Sequence, residues 1–295
     1  MFGAAAYPLT TGSRISGQTL QVTGVVVDDI EVVELVRIEY SDLPISTQYS
    51  FVEVKRLYHQ ISSWGDPKPR SEMLEAMIYA VSVGQISDHL LDHSPARKSF
   101  SLFNLTKALD EVIQKDCEDL VVSIKESNFK NGAVDALRYH LTRLLDRCLA
   151  RTRNGYLAVA PSEAKPGDVL VVMLDLSFVA CLRPQRDGNY TFIGICTVHG
   201  LNWGEALVGA IPQGLRYLSD QRTGRAWEHA FLDGKDGTTS CMDPRVNWEE
   251  LQVEKGDPAS EFWGKDDAGT GYYFKLPDEE YLLRHGVKLQ TLNIV

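Results

Sequence analysis

Long apolar runs are missing from this chain, and so is any close cysteine spacing. No stretch reaches the ~20 apolar residues that a membrane helix needs; the nearest, residues 169–182, is cut by Asp175 and carries Ser177. A membrane span is not expected. Residues 1–13 hold small and turn-forming side chains without the basic start and continuous apolar stretch of a secretory signal, which makes the cytoplasm the expected location. The five cysteines (Cys117, Cys148, Cys181, Cys196, Cys241) are odd in number, widely spaced and never in a Cys-x-x-Cys. They read as free, buried thiols rather than a disulfide framework or a zinc site. An excess of positive charge is lacking too: 30 Lys+Arg face 40 Asp+Glu, a formal charge of -10. Such a surface repels polyphosphate and anionic headgroups, so nucleic acid and membrane surfaces drop out as partners. There is no G-x-x-x-x-G-K-[ST], no G-x-G-x-x-G after a strand and no G-x-S-x-G elbow. Nucleotide hydrolysis, nicotinamide chemistry and α/β-hydrolase catalysis therefore have no support, and no cofactor is expected.

What is present is enough to fold. At 295 residues, with 44% hydrophobic and 24% charged positions, the chain can build one large or two modest cores. The predicted class is α+β: a helical segment packed on a small antiparallel sheet or barrel, with a loop-rich C-terminal part. Residues 1–18 read as a flexible or loosely packed start. Residues 19–295 read as one domain with strands over 19–48, helices over 49–150, a β-rich core over 151–218 and loops over 219–295.

Leu20, Val22, Gly24 and Val26 alternate with polar or small positions, which predicts a strand, then an acidic turn at Asp28-Asp29 and a second strand through Val36 and Ile38. Helical stripes follow: Phe51, Val54, Tyr58 and Ile61; then Leu74, Met77, Ile78 and Val81 behind Ser71 as N-cap; then Leu105, Leu109, Val112, Ile113 and Leu120. A fourth stripe, Val134, Leu137, Leu141, Leu144, Leu145 and Cys148, predicts a helix over 131–150. Short strands separated by turn chemistry come next, at 169–174, 178–183 and 190–198, and a short helix follows Gly204. Residues 219–271, rich in Gly, Asp and Trp, show little periodicity and read as ordered loops.

Several motifs recur in a familiar order. They are Arg147 through Pro161, Gly167-Asp168, Leu182-Arg183-Pro184, Tyr190 through Gly194, and Val198-His199-Gly200 with Gly204-Glu205-Ala206; upstream stand Leu20 through Gly24 and Asp28-Asp29-Ile30. Together they resemble the C-terminal part of fungal heterokaryon-incompatibility (HET) proteins. In that family an N-terminal domain resembling a Toll/interleukin-receptor fold triggers cell death. Nothing in these residues matches that domain, so the resemblance does not carry over the killing activity. The chain also departs from the family across residues 175–179, where a Gly and a Pro are usual.

Read as chemistry, Gly167-Asp168 suits a tight strand entry in which the carboxylate accepts backbone donors. Arg183, inside an apolar strand, must pair with a carboxylate of the fold, such as Asp168 or Glu205, or with one of a ligand. His199 and Glu205 flank Trp203 and three glycines, which sets an imidazole, a carboxylate and a flat apolar wall side by side; the alternative is a turn with Glu205 in a helix's first turn. Tyr156 can donate a hydrogen bond. His89 and His93 stand four apart, but no third metal ligand is obvious, so no metal is expected. Arg183, His199, Glu205 and Tyr156 are the candidate catalytic residues; Trp203, Trp227, Phe178 and Tyr273 are the candidate walls of an apolar pocket.

Two functions fit. The first is a cofactor-independent enzyme of fungal secondary metabolism, in its most concrete form a cyclase or pericyclase of the intramolecular [4+2], Diels-Alder type. It would fold an apolar terpenoid or polyketide substrate and hydrogen-bond to a carbonyl that gains charge. The second is a non-catalytic HET-type recognition module that binds a protein partner or small ligand through an exposed apolar patch.

Overall fold

The apolar alternation that starts at Thr19 carries one strand further than its local sequence implies. In the computed structural model, which describes residues 13–36, 47–64, 69–81, 102–114, 144–220, 228–240, 242–254, 262–265, 271–274 and 276–295, β1 (Arg14–Ser16) turns into β2 (Thr19–Leu35). Residues 14–16 thus form an exposed hairpin strand. Two strands with an acidic turn are expected here, yet β2 runs straight through Asp28-Asp29. Register shifts between Val26 and Asp28 and between Ile30 and Val32 let it bend without breaking. Asp28 is buried and accepts hydrogen bonds from the backbone N–H groups of Asp29 and Asn154, while Asp29 pairs with Arg153. A neighbouring turn, and not a turn of their own, satisfies the two acids.

Helices α1 (Thr47–Ser62), α2 (Arg70–Val81) and α3 (Leu102–Gln114) follow. Their buried faces are the expected stripes: Val54, Tyr58 and Ile61; Leu74, Met77 and Ile78; Leu105, Leu109, Val112 and Ile113. Ser71 lies inside α2 instead of capping it. The helix expected over 131–150 is corrected at its end, because β3 (Arg147–Thr152) begins there and makes Cys148 a strand residue. A short apolar run such as Cys148-Leu149-Ala150 suits either period, and pairing with two neighbouring strands decides it. Residues 115–143 lie outside the described ones.

Then come β4 (Leu157–Pro161), β5 (Val169–Met173), β6 (Val179–Pro184) and β7 (Tyr190–Val198). Antiparallel pairing in the order β2–β3–β4–β7–β6–β5 returns to β2 and closes a six-stranded barrel. The barrel core is apolar: Cys148, Ala150, Ala158, Ala160, Leu170, Val172, Val179, Cys181, Cys196 and Val198 pack as one cluster. Small side chains suit a barrel of so few strands. The helices cover the outside of β3 and β4 through Leu149, Leu157 and Val159. An ion pair from Arg56 on α1 to Glu34 on β2 ties helix to barrel, and one from Arg151 on β3 to Glu31 on β2 joins neighbouring strands.

The described residues of the region expected as loops are instead strand-rich. After α4 (Glu205–Val208), β8 (Leu215–Asp220), β9 (Glu228–Asp233) and β10 (Thr239–Ser240) form one small sheet. A 3-10 turn (Trp248–Leu251) leads to β11 (Gln252–Val253), which joins β12 (Phe262–Lys265) and β13 (Gly271–Phe274) in another. Strands of two to six residues give too few alternations to be read from sequence. Finally α5 (Glu279–Arg284) packs Tyr281 and Leu282 onto the barrel core, and β14 (Gln290–Ile294) pairs with β2 and touches β7 at Tyr190. The fold is mostly β, a closed barrel with a few helices.

β5 and β6 are buried on both faces. The side chains on one of these faces (Val171, Met173, Ala180, Leu182) join Val22 of β2 and Leu292 of β14 in a separate cluster, back to back with the barrel core. β14 thus covers an apolar face that the barrel alone would leave to water.

Candidate functional site

Arg183 lies near the end of β6, where it meets the turn that starts β5. Gly167 takes φ +92°, a region open to glycine and strained for other residues, and the chain reverses there so that the Lys165 backbone N–H donates to Asp168 Oδ2 at 2.8 Å. Asp168 is 1% exposed. Arg183 donates to it twice, Nε to Oδ1 at 2.8 Å and Nη2 to Oδ2 at 2.9 Å, and Nη2 also reaches the Glu163 carbonyl at 2.7 Å. The bidentate fork leaves the carboxylate satisfied and the guanidinium held in its charged form. Arg183 is therefore part of the strand entry.

His199, Trp203 and Glu205 sit at the far end of β7. Arg183 pairs with Thr191 near the start of that strand, so its nine residues place Arg183 and His199 roughly 25 Å apart at ~3.3 Å per residue. They do not converge. The His199 ring lies 5.3 Å from that of Tyr79 on α2, and its backbone N–H donates to Leu157. Tyr156 packs against the barrel core, its Cε1 3.8 Å from where a Cβ on Gly200 would stand. Tyr79 and His199 thus form a half-buried pair where α2 meets the barrel.

Glu205 opens α4, with its carboxylate turned back to accept the Trp203 N–H at 2.7 Å. Burial pushes its pKa up; the N–H groups of Glu205 and Trp203 and the charge of Arg245 pull it down, but not enough to cancel that rise. The loop is clamped from the other side by Arg245, which donates to Asp243 at 2.7 and 2.9 Å, to the Trp203 carbonyl at 2.7 Å and to the Gly209 carbonyl at 2.8 Å. Both side chains of this ion pair are buried, 4% and 5% exposed. The sequence reading misses this pair and Tyr79. Asp243-Pro244-Arg245 falls in a stretch without periodicity, and Tyr79 looks like one more residue of a helical stripe.

The remaining candidates are scattered. Phe178 stands 41% exposed just before β6. Tyr273 is a β13 residue paired with Trp263 and Val253. Trp227, His89 and His93 lie outside the described residues. Cys148, Cys181 and Cys196 all point into the barrel core as free thiols. Burial pushes the Cys148 thiol up to about 12, and contact with Cys181 together with burial raises Cys196 as well. Among the described residues no three His, Cys, Asp or Glu side chains stand where they could hold a metal ion, and no helix is long and apolar enough to cross a membrane.

Apolar side chains do gather on one surface. Ile15 of β1 pairs with Leu20 of β2, Leu20 with Ile294 of β14, and Ile294 with Tyr190 of β7, so one row of side chains crosses four strands. Ile15 is 76% and Leu20 38% exposed, and Phe192, two residues beyond Tyr190, is 45% exposed. The chain matches no family model, no curated protein and no solved structure.

Proposed function

We propose that this chain is a non-catalytic recognition module of the HET type, engaging a protein partner through the apolar rim of β1, β2, β14 and β7. The observation that carries the reading is that rim: Ile15 and Leu20 in the row, with Phe192 beside it, are left to water over a face already packed on Val22, Leu182 and Leu292. Further support comes from the motif residues, since Gly167, Asp168 and Arg183 build a strand entry and Glu205 holds its own loop. To test it, a photo-crosslinker placed at position 15 is compared with one at exposed Glu72 on α2, and any partner captured is purified and titrated directly. A partner crosslinked from position 15 alone, whose affinity falls at least tenfold in Ile15→Asp, supports the module. Equal capture from both positions, or an affinity indifferent to Ile15→Asp, overturns it.

One observation favours the second reading, a cofactor-independent cyclase acting on an apolar terpenoid or polyketide. His199 and Tyr79 meet at one end of the barrel, with a carboxylate of raised pKa on the same loop as His199. Candidate polyene substrates incubated with the protein would then react faster or with a changed stereochemical ratio, and His199→Ala would abolish the effect. Unchanged rate and stereochemistry exclude it for those substrates.

A further inference from the structure

We draw no further inference here: the strongest candidate, the exposed apolar row of Ile15, Leu20 and Phe192 along the β1–β2–β14–β7 rim, belongs to the surface already described, and nothing in the structure shows which partner covers it.

Discussion

Glu205 carries a desolvation cost that its hydrogen bonds only partly offset, and the sign of its effect follows from the raised pKa. The native state holds the proton more tightly than the unfolded chain does. The stability linked to Glu205 is therefore fully present below the ordinary carboxylate range and is lost as pH rises through the raised folded value. Glu205→Gln keeps an oxygen for the Trp203 N–H and removes the charge. Its melting temperature should exceed that of the parent at pH 7 to 8, with the gap closing as pH falls towards the ordinary carboxylate range; a gap constant with pH would refute the assignment. Arg245 behaves differently, because it is buried with Asp243 and spends its other donors on two carbonyls. Arg245→Met strands that carboxylate and should cost about 3–5 kcal/mol in urea unfolding, with the double variant Asp243→Leu/Arg245→Met recovering part of the loss. The three core thiols need no partner of their own. Burial of all three, with the raised pKa of Cys148 and Cys196, predicts that peptide mapping finds no alkylation of Cys148, Cys181 or Cys196 in the native protein at pH 8 and full alkylation in denaturant.

Among the elements, β2 bears the most constraint, pairing with β1, β14, β5 and β3 in turn along its length. Gly24 marks the point where it passes between two of them. A Cβ there would meet the Val172 carbonyl oxygen at 2.6 Å and the Met173 Cα at 3.2 Å, both backbone atoms of β5 that cannot swing aside. Gly24→Ala should therefore destabilise by about 1–3 kcal/mol despite the better strand propensity of alanine. Hydrogen exchange gives the local readout: protection should fall first at the β2–β5 pairing around Val172. The stripes of α1 to α3 were legible because each spans several turns and packs with one face down, so local period and tertiary environment agree. The strands of the C-terminal sheets were not, because pairs as short as β10 and β11 are fixed by their partners.

At the scale of the molecule, two apolar clusters share one wall. β5 and β6 separate the barrel core from the cluster under β14, so the β14 strand is part of the fold's stability. Leu292, 2% exposed, is its main anchor. Leu292→Ala should cost about 2–5 kcal/mol and shift the whole unfolding transition, whereas Ile15→Asp at the open rim should change stability by less than about 0.5 kcal/mol. If Leu292→Ala loosened β14 alone and left the global transition in place, the shared wall would not be cooperative. The candidate site was legible only in part. His199, Trp203 and Glu205 follow one another at the end of β7 and in the loop after it, but Arg183 belongs to the opposite end of the strand.

Composition and local spacing alone settled the sign of the charge, the small-residue turns, the three amphipathic helices and the strands at 169–174, 178–183 and 190–198, since each depends on neighbours within a few residues. Closure was beyond them. That β2 continues through two aspartates, that Cys148 lies on a strand, and that β14 returns from the far end of the chain to pair with β2 all rest on contacts between distant segments. Arg183 likewise became a scaffold residue only when a turn fifteen positions earlier set Asp168 against it. An ion pair or a strand partner is a property of two places in the chain, and folding is what brings them together.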